Sequence, residues 1–238
     1  MISSLNNSLK KLIETINYKS LRRGLNSEGF YYLGNIKDDI KCNKLCREID
    51  QLIQSHKIEA NYGGSEKRLW AAHKKNNFIN SFFNFSNQVI SETTGKKLTA
   101  YNILAIKNEK LLLKKDEMIN RRWHRDSARN QLKIFLFLNE VLQENGPLQI
   151  LKGTHKLDSK WKCFYSGNLI SLSEFLNSQG SRKYEKIGDG YIESLIQSGY
   201  SLKEFTVSQG TCLIVNTSAI HRAKPCLGGV RYALTSYY

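Results

Sequence analysis

Five histidines occur in the 238 residues, and one of them opens the triplet His124-Arg125-Asp126. In a strand, residues i and i+2 project from the same face, so this imidazole and this carboxylate can reach one metal ion from a single rigid element. Taken alone, the pair fits equally well an imidazole hydrogen-bonded to a neighbouring carboxylate on a surface turn. A second constellation stands at the C-terminal end, in GTCLIVNTSAIHRAKPCLGGVRYALTSYY. There an apolar CLIV strand delivers Asn216 and then His221, a Gly228-Gly229 turn follows, and the next strand opens with Arg231. Two histidines and one carboxylate on one face of an iron(II) ion leave three coordination positions open, enough for a bidentate 2-oxo acid and dioxygen. The far carboxylate of such an acid needs a fixed, permanently charged, forked partner, and arginine meets that need better than lysine. An isolated strand-edge arginine is ordinarily solvated, but Arg231 stands among Val230, Tyr232 and Ala233 in an apolar terminal strand, which disfavours a surface role.

The elements that must position these residues fall into two textures. Leu5, Leu9, Leu12, Ile13 and Ile16 recur at helical spacing and predict an amphipathic opening helix that ends before Gly24. A second helix is expected from about Asp38, with Asp38 or Asp39 as cap and Ile40, Cys46, Ile49, Leu52 and Ile53 on one face. A third starts after Asn77, with Phe78, Phe82, Phe85 and Val89 as its stripe and Gly95 as its stop. From there short segments rich in β-branched and aromatic residues take over: KLTAYNILAIK, NQLKIFLFLNE, PLQILKG, SLKEFTV, GTCLIVN and VRYALTSYY. Strands separated by turns such as Asn145-Gly146-Pro147, without intervening helices, predict an antiparallel jelly roll or barrel and not a parallel α/β sheet. The expectation is one domain over 1–238, with a helical N-terminal part (1–95) and a jelly-roll core (96–238). An insertion at about 157–200, including a helix over SLSEFLNS, is expected to cap a pocket.

Composition narrows the classes further. Forty per cent hydrophobic and 24% charged residues describe an ordinary globular chain, long enough to build a core without disulfides or structural metals. Cys42, Cys46, Cys163, Cys212 and Cys226 are odd in number and include no CxxC pair, which argues against a disulfide framework or zinc knuckle and for a reducing compartment. The longest unbroken apolar run, Ile134 to Leu138, is far short of the ~20 residues of a membrane span. The opening MISSLNNSLKKLIETI has no apolar signal-peptide core, so the expected location is cytoplasmic. The net charge of +15 is unevenly spread: residues 61–130 alone carry 14 basic and 6 acidic side chains. Such a surface attracts nucleic acid, anionic lipid or small anionic substrates, and lysines that merely keep a surface soluble give the same total.

Taken together, these blocks resemble the phytanoyl-CoA dioxygenase-like branch of the iron(II)/2-oxoglutarate-dependent oxygenases. The resemblance spans roughly Tyr101 to Tyr238 and rests on three blocks in order: WHRD at Trp123 to Asp126, LKIFLFLNEVLQENGPLQILKGTHK, and NTSAIHRAKP followed by GVRYALTSYY. It implies a double-stranded β-helix, that is, a cupin-like jelly roll that is mainly β with N-terminal helices. It further implies that His124, Asp126 and His221 ligate Fe(II) and that Arg231 binds the C5 carboxylate of 2-oxoglutarate. The family's chemistry consumes O2 and 2-oxoglutarate, releases succinate and CO2, and hydroxylates a substrate C–H bond; desaturation or ring closure can start from the same hydrogen removal. Lys133, and more weakly Asn102 and Lys107, lie on expected strands that could face the pocket and assist 2-oxoglutarate. His155, in GTHK, matches a family position but reads as a structural or pocket residue and not a fourth ligand, and His56 and His73 match nothing. The chain departs from many relatives in having Asn216 for Asp and Ala223 for Ser or Gly, and the second change can remove one cosubstrate hydrogen bond. Asp126 argues against the halogenating relatives, which lack that carboxylate.

Three readings follow. The leading one is a hydroxylase of a small, anionic organic substrate, for which the basic segment before His124 would supply attraction. The second is a nucleic-acid oxygenase, supported by net charge alone; nucleic-acid demethylases of this kind typically carry a second arginine after the cosubstrate one, whereas here Arg231 is the last basic residue. The third is a catalytically silent jelly roll that binds a ligand or partner, a role that has no need of all four residues His124, Asp126, His221 and Arg231.

Overall fold

A computed structural model describes residues 3–61, 63–110, 123–127, 129–165 and 187–238. The chain begins with α1 (Ser3–Thr15), α2 (Tyr18–Ser27), β1 (Phe30–Asn35), α3 (Asp39–Ser55), β2 (Glu59–Asn61), β3 (Glu66–Trp70) and α4 (Asn77–Thr94). It continues through β4 (Asn102–Glu109), β5 (Leu132–Phe137), β6 (Leu148–Leu151), α5 (Leu157–Tyr165), α6 (Asp189–Gln197), β7 (Leu202–Glu204), β8 (Thr211–Asn216), β9 (His221–Ala223) and β10 (Val230–Tyr237). Every strand pairing is antiparallel, in a seven-stranded sheet ordered β1-β8-β5-β10-β4-β3-β2 and a three-stranded sheet ordered β7-β6-β9. Two facing antiparallel sheets with this winding form the double-stranded β-helix, or jelly roll.

The helices cover one face of the large sheet and leave the other to the small sheet. Along β10, Tyr232 and Leu234 point into a core shared with Leu21, Ile49, Ile79, Phe82 and Val89 of the helices, whereas Ala233 joins Phe137, Ile150, Phe205, Leu213 and Val215 between the sheets. This period-two division holds on β5 and β8 too, where Ile134, Leu136, Cys212 and Ile214 face the helices. The inter-sheet face is therefore the wall of the barrel, and Arg231 shares it with Ala233.

The helix ends follow local chemistry. The Asp38 side chain accepts from Lys41 N at 3.4 Å, and Asn76 Oδ1 accepts from Phe78 N and Ile79 N at 2.9 and 3.1 Å, starting α3 and α4 where expected; Gly95 ends α4 in the left-handed region at φ 68°. The opening helix is a correction. It is two helices, because Asn17 accepts from Ser20 N at 3.0 Å and starts α2, which runs through Gly24. A Cβ at Gly24 would lie 3.0 Å from the Tyr31 ring and 3.1 Å from the Phe30 carbonyl, so the absence of a side chain there lets β1 pack close. A second correction concerns 1–95, which is not only helical: it contributes β1, β2 and β3 to the large sheet. Of the expected insertion, α5 and α6 are described, and the helix expected over SLSEFLNS lies outside the described residues. Ile192 and Leu195 of α6 pack with Trp123, Leu151 and Ile220, which places α6 behind the small sheet.

Candidate metal centre

His124 and His221 meet because their backbones pair. His124 N donates to the His221 carbonyl at 3.0 Å and His221 N to the His124 carbonyl at 2.9 Å, so the segment before Asp126 lies against β9 as an added strand. Asp126 N donates to Thr217 O at 3.0 Å, which turns the carboxylate back toward both rings. Thr217 is itself fixed, its N donating to Gln131 O at 2.8 Å. Ser218 donates from its N and Oγ to Asn216 Oδ1 at 3.1 and 2.8 Å, an acceptor role that Asn fills as well as Asp would.

The three side chains converge. Asp126 Oδ1 is 3.8 Å from His124 Nε2, Asp126 Oδ2 is 3.4 Å from His221 Nε2, and all three ligand atoms lie within 4.8 Å of one another. Carbonyl oxygens only accept, so His221 Nδ1 donates to Ala219 O at 2.9 Å, and Nε2 is the ring nitrogen turned to the site. Two imidazole nitrogens and one carboxylate on one side of a point are the donor set that suits a divalent iron ion with open positions.

Electrostatics keep the carboxylate charged. Burial by itself would raise the Asp126 carboxyl; Lys133 first, then His221 and His124, outweigh it and hold the group well below the ordinary carboxylate range. The Lys133 ammonium lies 2.7 Å from Asp126 Oδ2 and 4.1 Å from the centre of the Tyr237 ring. Burial opposes its charge too, and the attraction of Asp126 raises it above the usual lysine value.

Two features behind the ligands escaped sequence reasoning. Arg125, between the two ligands and pointing away from them, is 1% exposed and donates from Nη1 to the carbonyls of Thr154 and Ser218 and from Nη2 to Ser159 Oγ at 3.4 Å. It ties the His-x-Asp segment to the loop that carries His221. On the same outer side the Arg222 guanidinium stacks on Trp123 at 4.4 Å while its Nε donates to Gln149 Oε1 at 2.8 Å, so the neighbours of His221 and His124 staple the two strands together. The adjacency of Trp123-His124 and His221-Arg222 was legible as sequence; the pairing that brings them face to face was not.

The remaining residues separate. Arg231 is buried on the inter-sheet face, where its strand neighbour on β4 is the fully buried Asn108. Lys107 corrects an expectation: it points to the helix side, pairs with Asp50 and Glu109 at 2.8 Å each, and cannot reach the barrel interior. Asn102 accepts from Ala71 N at 3.0 Å and so holds the left-handed turn at Ala71. His155 donates from Nε2 to Asn26 O at 3.2 Å and packs on Gly29, where a Cβ would come within 2.9 Å of Nδ1, so it braces the turn from α2 to β1. His56 closes the end of α3 against Leu52 O at 3.1 Å, and His73 stacks on Phe83 at 4.7 Å.

No protein-family model matches the chain, and no curated protein matches it in sequence. Solved structures do. The non-heme α-ketoglutarate-dependent carbocyclase SnoK from nogalamycin biosynthesis is 13% identical over 94% of this chain and 84% of its own, with a TM-score of 0.68. The epimerase SnoN, in complex with Fe3+, α-ketoglutarate and nogalamycin RO, is 13% identical over 92% of this chain and 82% of its own, at 0.67. The fold is the one these non-heme enzymes share. HygX from Streptomyces hygroscopicus, with nickel and 2-oxoglutarate bound, aligns at 12% identity over 92% of this chain and 85% of its own, with a TM-score of 0.61.

Proposed function

We propose that the protein is an iron(II)- and 2-oxoglutarate-dependent dioxygenase, of the phytanoyl-CoA dioxygenase-like kind, that hydroxylates a C–H bond of a small organic substrate. The observation that carries this reading is the convergence of His124, Asp126 and His221, which arrive from two strands and offer two imidazole nitrogens and a carboxylate to one point. Bound there, iron(II) together with 2-oxoglutarate and O2 supplies an oxidant able to remove hydrogen from an unactivated C–H bond. The protein's own part is placement and exclusion. His124 and His221 present ring nitrogens, and Asp126 supplies the negative charge. Arg231, buried on the barrel wall, offers a forked cation to the C5 carboxylate of 2-oxoglutarate. Phe135, Phe137, Leu213 and Val215 keep the space between the sheets dry. The structural neighbours include a carbocyclase and an epimerase; for this chain hydroxylation is the outcome we favour, because it requires the fewest further groups.

An anionic substrate is the class we favour. Lys67, Arg68 and Lys107 of the basic segment are engaged by Glu109, Glu66 and Asp50, while Lys74, Lys75, Lys96 and Lys97 are exposed, form no ion pair among the described residues and leave a positive exterior that concentrates anions. Location in the cytoplasm accords with Cys42, Cys46, Cys212 and Cys226 being free thiols and, among the described residues, with no helix long and apolar enough to cross a membrane. The test is iron-dependent conversion of 2-oxoglutarate to succinate: the wild type should turn over and His124→Ala should not. Equal rates in the two proteins would remove the metal centre from the reading.

A further inference from the structure

Lys133 is a cation in direct contact with the metal-ligand set, and its surroundings point to a task distinct from that of Arg231. Its side chain is 9% exposed, and its ammonium is enclosed between the Asp126 carboxylate at 2.7 Å and the face of Tyr237 at 4.1 Å. Lys133 stands directly opposite Tyr237 where β5 pairs with β10, so the ring and the stem share one face of the sheet. Arg231 lies on that face too, but six residues along β10, roughly 20 Å of strand. The two cations therefore do not converge on one carboxylate. Of the Asp126 oxygens, Oδ2 is the one Lys133 holds, at 3.4 Å from His221 Nε2, while Oδ1 carries no cation and lies 3.8 Å from His124 Nε2.

From this arrangement, and resting on the function proposed above, we infer that Lys133, seated on the Tyr237 ring, fixes Asp126 as a one-oxygen metal ligand by binding its second oxygen. It is a positioning residue. A carboxylate free to rotate can chelate through both oxygens and close a position that a 2-oxo acid needs; an ammonium on one oxygen prevents this and fixes the plane of the group. Partners of metal ligands typically govern affinity by 10- to 100-fold, and the same range is expected here.

The experiment is an anaerobic cobalt(II) titration read by ligand-field absorption, followed by 2-oxoglutarate titration at saturating cobalt, neither of which requires turnover. Lys133→Met should weaken cobalt binding about 10- to 100-fold while changing 2-oxoglutarate affinity less than about threefold. Tyr237→Leu leaves the buried ion pair whole, keeps the test decisive if Lys133→Met does not fold, and should weaken cobalt binding about 2- to 10-fold through loss of the ring seat. Unchanged cobalt affinity in both variants would overturn the inference. So would a fall in 2-oxoglutarate affinity at saturating cobalt with cobalt affinity kept, which would make Lys133 a cosubstrate ligand. A wild type that binds neither cobalt nor 2-oxoglutarate would instead overturn the proposed function, so the two failures are distinguishable.

Discussion

β10 is flanked by two lysines in matching surroundings. On β4, Lys107 stands opposite Tyr232, lies over its ring at 5.5 Å and pairs with Asp50 at 2.8 Å; on β5, Lys133 stands opposite Tyr237, lies over its ring at 4.1 Å and pairs with Asp126 at 2.7 Å. The first trio faces the helices, where the Tyr232 hydroxyl also donates to Asp50 and ties α3 to the sheet. The second faces the small sheet, where its aspartate stands between two imidazoles. Identical side chains thus build a strut on one side of the sheet and a metal centre on the other, and strand parity decides which.

The comparison breaks most readily at the aspartates. Asp126→Ala should abolish 2-oxoglutarate turnover, whereas Asp50→Ala should leave the rate within about twofold and lower stability by about 1 kcal/mol, since Asp50 is itself partly exposed and Lys107 keeps Glu109 as a partner. Succinate assays and chemical denaturation of the two variants check this, and equal loss of turnover in both would dissolve the distinction. Next in size is Arg231→Ala, expected to weaken 2-oxoglutarate binding about 100-fold with cobalt affinity unchanged; loss of both would indicate a structural role.

A third lysine sharpens the contrast by having no ion-pair partner among the described residues. Lys160 on α5 is 6% exposed, and burial, with Arg125 beside it, lowers it to about 8. Its folded value lies below its unfolded one, so the folded state is penalised while the ammonium persists, and stability should rise with pH from about 8 toward about 10.4. Lys160→Met should accordingly stabilise the protein by about 1 kcal/mol at pH 7, the gain shrinking by pH 10; thermal melts at the two pH values read it directly. The smallest effect expected is from salt: once a substrate is in hand, raising ionic strength from 0.05 to 0.5 M (the range over which the Debye length drops from about 14 to about 4 Å) should weaken its binding a few-fold if the basic exterior attracts it. Indifference to salt would assign that charge to solubility.

Residues i and i+2 in a strand share a face, but that spacing alone fits a surface turn equally well; the candidate ligands were legible through the family resemblance carried by the three blocks. The fate of Lys133 and Lys107 was not. β5 is buried on both faces, Ile134 and Leu136 against helices and Phe135 and Phe137 against the small sheet, so the run IFLFL lacks the alternation from which parity is read. The strands β1 and β3 escaped for a related reason: FYYLGN and EKRLW are short, aromatic or charged, and acquire strand character from neighbours distant in the chain. Nothing in the sequence marks Arg125 as buried; the meeting of two distant carbonyls makes it a clamp.

The central claim, that His124, Asp126, His221 and Arg231 form one site for iron(II) and 2-oxoglutarate, is tested most directly without any substrate. Iron(II) and then 2-oxoglutarate are added to the anaerobic protein, and the visible metal-to-ligand charge-transfer band of a chelated 2-oxo acid is sought. A band that forms in the wild type, is absent in Asp126→Ala, and requires much higher 2-oxoglutarate in Arg231→Ala is the predicted result. Folded wild-type protein that gives no band would contradict the account and leave a jelly roll whose site serves binding alone.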